Sequence, residues 1–415
     1  MSVLAANRLL EQARPDPAAL LDALEPIFPL IGLLDSTPQD PEWHAEGNVR
    51  IHTEMVIAET LRLLESEGDA FTPQDRTVLL LGAALHDVGK ALTTGEASID
   101  GQIRVVSPHH AERGASHVAP RLAALGLDDA TARAVIGLVA FHHHPTKLVS
   151  REAPSSQYAR LAREVDPRLI YWLEKADLRG RHTAESHRSR AVEMLELFRI
   201  ECEATGNWGG VPRLYETWSH RLEGEFGIAS PLERGYVWHW AIADYESGRI
   251  SSLEEALART HPHRSRHAVL IVTCGPSGSG KSSWCARQPG DWVRISLDDL
   301  RCSIAGKRSD QSRNGEVIQE AKRLLRIALR DKQTIIWDAT SLRRDGRSVV
   351  LGLGTAYHAL TRIQVFATPP EPLYRRDRER ADSVGKAIID RQFESWQWPG
   401  ASEAHEIGID WASGA

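Results

Sequence analysis

Through about residue 260 the apolar positions recur at helical spacing. Ile57, Leu61 and Leu64 share one face, and residues 78–85 form an apolar run long enough for a buried helical segment. No period-two alternation stands out in this half, so the pattern predicts an all-α block. After about residue 267 the period changes. Short β-rich runs at 268–273, 292–296, 334–337 and 362–367 alternate with helical stretches, one of which carries Val317, Ala321, Leu324, Leu325 and Ala328 at 3.6-residue spacing. Such alternation predicts a parallel α/β sheet. The polar break Thr260-His261-Pro262-His263-Arg264-Ser265 separates the two patterns. The expected domains are residues 1–262, including a helical extension at 183–262, and residues 263–415. That extension carries Trp208, Trp218, Trp238 and Trp240 but no chemical motif, and it either completes the helical domain or braces the two.

With 415 residues, 42% of them hydrophobic, the chain can bury more than one core. Cys202, Cys274, Cys285 and Cys302 form no CxxC and no regular spacing, which argues against a disulfide framework or a zinc knuckle and for a reducing, cytoplasmic setting. The N-terminus lacks the basic-then-apolar order of a leader, and no run approaches the roughly 18 to 20 apolar residues of a membrane span. A formal charge of −6 excludes a globally basic nucleic-acid binder, so contact with a phosphate backbone must come from local patches.

Chemistry enters first in the second half. Gly275-Pro276-Ser277-Gly278-Ser279-Gly280-Lys281-Ser282 is a Walker A loop, placed after a predicted strand and opening a helix at Ser282-Ser283-Trp284. Small residues let successive backbone N–H groups turn toward phosphates. Lys281 is expected to reach the β and γ oxygens of ATP, with the Ser282 hydroxyl on Mg²⁺. Farther on, Asp298-Asp299-Leu300-Arg301 offers a carboxylate to take a proton from an acceptor alcohol and a cation to orient it. The alternative is that Asp298-Asp299 caps a helix.

The first half carries histidines. His52 lies on a predicted helix, His86-Asp87 ends the apolar one and is followed by Val88-Gly89-Lys90, and Asp177 precedes Gly180-Arg181. Adjacent helical residues point about 100° apart, so His86 and Asp87 can reach one ion near a helix end while His52 and Asp177 arrive from other helices. His110 and His142 are candidates for a second ion bridged through Asp87, although His109, His143 and His144 compete with them. His44 is expected to touch substrate or support a ligand.

The series His52, His86-Asp87, His110, His142, Asp177 resembles the HD-domain phosphohydrolase superfamily over roughly residues 40–182. The resemblance implies an all-helical fold with one or two divalent transition metal ions (Mn, Ni, Co or Fe) that activate water against a phosphoester, and Lys90 as a phosphate contact. Arg294-Ile295-Ser296-Leu297-Asp298-Asp299-Leu300-Arg301 resembles the acceptor segment of phage-type 5′-hydroxyl polynucleotide kinases. That likeness implies Asp298 as general base and Arg301 as the clamp on acceptor phosphate. Ile335-Ile336-Trp337-Asp338 ends a strand in a carboxylate as those kinases do, and Asp338 is expected to orient the acceptor site or the metal shell. Leu373-Tyr374-Arg375-Arg376-Asp377-Arg378-Glu379-Arg380 looks like their helical lid, which gives lid roles to Arg376 and Arg380, the latter facing ATP phosphates. Two positions depart from the pattern: Val384-Gly385 stands where Val-Pro is common, and Leu300 replaces a frequent aromatic.

Taken together the halves resemble bacterial HD–polynucleotide kinase end-healing enzymes. The implied activities are ATP-dependent phosphorylation of RNA or DNA 5′-hydroxyl ends and hydrolysis of 2′,3′-cyclic and 2′- or 3′-phosphate ends, with a separate RNA or DNA ligase as partner. A second reading joins a nucleoside or small-molecule kinase to an HD nucleotidase; the Asp298/Arg301 spacing argues against it, because a polynucleotide site is open and cationic. A third, an ATP-gated RNA-binding switch, needs no acceptor base, and Lys281, Ser282 and Asp298 are intact.

Overall fold

The apolar run at 78–85 is the buried second half of a helix, Pro73–Leu85. A helix that is apolar on all sides must be enclosed. Its start is fixed by a capping box in which Thr72 and Asp75 bond each other's backbone N–H, with Pro73 at the first position. Asp75 also pairs with Arg168 at 2.9 Å, tying this helix to Pro167–Arg179. Val49–Ser66, capped by Asn48, and Asp129–Phe141, capped by Asp128, complete the surroundings. The computed structural model describes residues 2–307, 310–380 and 383–411.

The first block is mostly helical rather than all-α. Strands β1 (Gly95–Ile99) and β2 (Gln102–Val106) form an antiparallel hairpin. Asp100 and Gly101 turn it, with φ of 51° and 80°, the positive pair that a tight two-residue turn requires. Its residues are exposed or half-buried, so hydrophobic alternation does not mark it. The turn dipeptide is the signal that does.

In the second block β3 (Val269–Cys274), β4 (Val293–Ser296), β5 (Thr334–Asp338), β6 (Leu360–Ala367) and β7 (Glu406–Trp411) form one parallel sheet in the order β4-β5-β3-β6-β7. Four were expected within one or two residues, whereas β7 was not. Leu270, Val272, Ile335, Trp337, Ile363 and Val365 build the core with Ala321, Leu325 and Ala328 of the helix Asn314–Arg330. The Walker loop therefore leaves the central strand, β3.

The chain divides into compact units between Arg213 and Leu214, ahead of the polar break near residue 262. The expected extension is thereby split. Glu185–Ala204 packs in the first unit, while Pro231–Glu246 and Leu253–Thr260 belong to the second. Tyr236 donates to the carbonyl of His358 at 2.9 Å, and the Trp240 ring lies 4.8 Å from that of His405. All four cysteines are free, and no described helix is long and apolar enough to cross a membrane.

Candidate active sites

The Pro73–Leu85 helix delivers His86 and Asp87 to positions only 1% and 2% exposed. His52, buried on Val49–Ser66, places Nε2 3.0 Å from Asp177 Oδ1 and 3.6 Å from Asp87 Oδ2. His86 Nε2 lies 3.2 Å from that Asp87 oxygen. Gly89 permits the next approach, because a β-carbon there would stand 1.9 Å from the carbonyl oxygen of His110. His110 and His142 bring their Nε2 atoms to 3.3 and 3.8 Å from Asp87 Oδ1, and His143 Nε2 lies 3.2 Å from His110 Nε2. Besides His44/Glu46/His52, two groups have spacing suited to an ion, His52/His86/Asp177 and His110/His142/His143. Asp87 turns one oxygen toward each.

Bonds on the outer side of three of the rings aim them inward. Nδ1 of His86, His110 and His142 donates to the carbonyls of Ala83, Ser107 and Val139 at 2.9, 2.7 and 2.9 Å. His52 Nδ1 lies 3.0 Å from Glu46 Oε1, which His44 Nδ1 also meets at 2.8 Å. A proton held on Nδ1 leaves Nε2 with the lone pair that a metal takes. Burial holds His142 and His143 well below the usual imidazole range, so both are neutral. Burial alone would raise Asp87 and Asp177, but Lys90 and His86 for the first, and Arg181 and His52 for the second, outweigh it and keep the carboxylates ionised.

Both ring nitrogens of His52, His86 Nε2, Asp87 Oδ1 and Asp177 Oδ1 are buried and make no hydrogen bond with the described residues, the Glu46 carboxylate facing His52 Nδ1 as a charge partner. A buried unsatisfied polar group costs about 1–3 kcal/mol, and more when charged. One divalent cation would satisfy several of them, and an imidazole and carboxylate donor set suits a transition metal.

Lys90 is placed on the shared carboxylate, its Nζ 2.8 Å from both Asp87 Oδ2 and Gln39 Oε1. His109 is 80% exposed and bonded to Glu112, and His144 packs on Phe141, so neither joins the ring. Glu46, Gln39 and Arg181, which bonds Asp177, had no assigned role in the sequence. For Glu46 the available signal was its position in the same short segment as His44, just ahead of the His52 helix.

In the second unit, Gly278 and Gly280 turn the Walker loop with φ of 82° and 98° into the short helix Lys281–Ala286. Lys281 is buried, its Nζ donating to the carbonyls of Gly275 and Pro276 at 2.8 and 2.6 Å. Burial pulls this amine down to about 8, against the charges of Asp338 and Asp298. The Ser277 N–H donates to Gln392 Oε1 at 2.8 Å, Ser279 is buried, and Ser282 and Ser283 are exposed.

Ser296, not Asp298, caps the helix Leu297–Ala305, accepting from Asp299 N at 3.2 Å. The Asp298 carboxylate is therefore left for other work. It is 64% exposed and accepts from Arg301 Nη1 at 2.6 Å, while Arg301 itself is largely buried. Asp338, buried at the end of β5, accepts from Arg294 Nε at 2.9 Å, a partner for which the sequence gave no hint. Arg376 lies in the last turn of the helix Pro370–Arg378, and Arg380 follows its end. Arg380 Nη1 is 3.9 Å from where a β-carbon on Gly278 would stand, which sets it against the Walker loop. Asp377 accepts from Ser383 Oγ, Val384 N and Gly385 N at 2.6, 3.0 and 2.8 Å, fixing the chain at Val384-Gly385.

Residues 49–168 match the HD domain family and residues 270–398 match the AAA domain family. The chain thus carries a mostly helical HD domain followed by a P-loop domain built on a five-stranded parallel sheet. Among curated proteins, the Multifunctional CCA protein of Pasteurella multocida (strain Pm70) is 31% identical over 88 residues, which are 21% of this chain and 18% of that protein. Among solved structures, a chain of the Pnkp1/Rnl/Hen1 RNA repair complex is 24% identical, covering 31% of this chain and 44% of that one with a TM-score of 0.29. A chain of a Pnkp1/Rnl/Hen1 complex is 27% identical, covering 27% and 39% with a TM-score of 0.25. The chain spans less than half the length of each of these relatives.

Proposed function

We propose that this chain heals broken polynucleotide ends, removing phosphate at the 2′,3′ end and adding it at the 5′ end. The observation that carries the reading is the presence on one chain of a buried, inward-aimed ring of imidazoles and carboxylates and, in the other unit, an exposed carboxylate held by a buried arginine. An exposed acceptor base suits a strand end better than an enclosed small molecule.

At the HD site His52, His86, Asp87 and Asp177 hold one divalent ion, with His110, His142 and His143 for a second. Such ions lower the pKa of bound water and stabilise charge on phosphoryl oxygens. Glu46 keeps His52 in the ligand tautomer, and Lys90 and Arg181 hold the carboxylates ionised. At the kinase site Asp298 accepts the proton of the 5′-hydroxyl and Arg301 anchors the acceptor phosphate. Lys281 leaves its own loop carbonyls for ATP, with Arg380 and Arg376 supporting the charge that develops as the phosphoryl group moves. Ser282 meets the Mg²⁺ that accompanies ATP, and Asp338, held by Arg294, orients the acceptor side. Once both ends are healed, a separate ligase can act on them.

The test is an RNA oligonucleotide with a 5′-hydroxyl and a 2′,3′-cyclic phosphate, incubated with ATP and divalent metals while both ends are resolved. Loss of the cyclic phosphate and gain of a 5′-phosphate are expected. Equal phosphorylation of free nucleosides and oligonucleotides would overturn the polynucleotide reading in favour of a small-molecule kinase.

A further inference from the structure

Beside the histidine ring lies an aromatic surface that the hydrolytic chemistry leaves unused. Trp43 directly precedes His44, whose ring meets that of His52 edge to face at 4.7 Å, and shares a loop with Glu46, which holds His52. The tryptophan is 43% exposed, and its indole stacks on the His187 imidazole at 4.6 Å and 21°. A large ring left this open, yet held in a fixed plane, is a recognition surface more than a packing element. Its backbone is strapped in place. Ala45 N donates to His182 O at 2.9 Å, His182 N donates to Glu46 Oε2 at 2.9 Å, and Thr183 Oγ1 donates to Glu42 O at 3.3 Å. The same strapped segment begins with Arg181, which bonds Asp177. Trp43 is therefore referenced to the ring twice, through Glu46 to His52 and through Arg181 to Asp177.

We propose that Trp43, steadied by His187, is a nucleobase platform: the base of the nucleotide whose phosphate is removed stacks on the open side of the indole while the phosphate enters the ring. The proposal rests on the phosphohydrolase reading of that ring and adds the contact by which a base-bearing end is told from a phosphoester lacking a base. Every base has a π face, so stacking accepts any terminal nucleotide. An enzyme acting on breaks at arbitrary positions needs that tolerance.

The test compares kcat and KM for two RNA oligonucleotides ending in a 2′,3′-cyclic phosphate, one with a normal terminal nucleotide and one abasic there, using the full chain loaded with metal. Trp43→Ala should raise KM on the base-bearing end by roughly 5- to 150-fold, the range stacking on an aromatic supplies. On that end kcat should stay within about two-fold, because a binding contact equal in ground and transition states affects KM alone. The abasic end should be unaffected, and Trp43→Phe should recover most of the loss. Should the alanine variant be insoluble, Trp43→Leu keeps an apolar side chain against His187 and is expected to show the same KM effect. Equal losses on both ends, or equal KM of wild type for both, would make Trp43 a loop latch and overturn the platform. Hydrolysis of neither end by the wild type would instead overturn the phosphohydrolase reading, and the platform with it.

Discussion

At the HD ring the groups that would touch a metal are buried or half-buried and largely pre-aimed, because His86, His110 and His142 are bonded on their outer side to backbone carbonyls and His52 Nδ1 faces the Glu46 carboxylate at 3.0 Å. At the Walker loop the arrangement differs: Ser282, Asp298 and Arg380 are exposed, whereas buried Lys281 is engaged by its own loop and Asp338 by Arg294. On the function proposed above, the shell that would hold an ion between turnovers is built into the core. On the same reading, a site that admits ATP and a strand end would be completed by its substrates. The contrast says where each site is vulnerable: ligand changes at the ring strip charge compensation from a buried cluster, while changes at the kinase site remove a contact and leave the fold alone.

The largest effect should come from His86→Ala combined with Asp87→Ala. Losing the bridging carboxylate and an adjacent imidazole should reduce phosphate release by far more than the roughly 10- to 100-fold typical of a lost outer partner. Kinase turnover should stay near wild type, measured on the same preparation. Next in size, Asp298→Ala should lower 5′ phosphorylation by about 10²- to 10⁴-fold, the usual contribution of a general base, with ATP binding unchanged by titration calorimetry. Retained turnover would remove Asp298 from the chemistry. Glu46→Gln should weaken metal retention at the ring by about 10- to 100-fold, read by metal analysis after dialysis against a chelator. The smallest effect is on stability. Gly89→Ala should cost about 1–3 kcal/mol in urea unfolding, since its β-carbon must push back the His110 backbone. If stability is unchanged, the close approach does not set the position of His110.

Much of this was legible from spacing. The buried run at 78–85 announced the helix that carries His86 and Asp87, and the β-rich runs announced four of the five parallel strands. Proximity across long separations was not legible. Nothing local distinguishes His143 from His144, and only the bend after Asp129–Phe141 decides that the former faces His110. Arg294 reads as an ordinary strand residue until β4 pairs with β5 and Ser296 falls opposite Asp338. The helices at 214–260 fall with the second unit, a choice made by side chains such as Tyr236 and Trp240 and not by helical period, which is the same in either unit. The hairpin at 95–106 leaves no hydrophobic alternation to read, because its residues are exposed or half-buried.

The most direct measurement of the central claim, two separable phosphoryl chemistries on one chain, follows both ends of a single RNA that carries a 5′-hydroxyl and a 2′,3′-cyclic phosphate. Wild type, His86→Ala/Asp87→Ala and Asp298→Ala are compared with ATP, Mg²⁺ and a transition metal. Wild type is expected to convert both ends, the first variant only the 5′ end and the second only the 2′,3′ end. Loss of both activities in either variant, or full phosphoesterase activity in the first, would contradict the account.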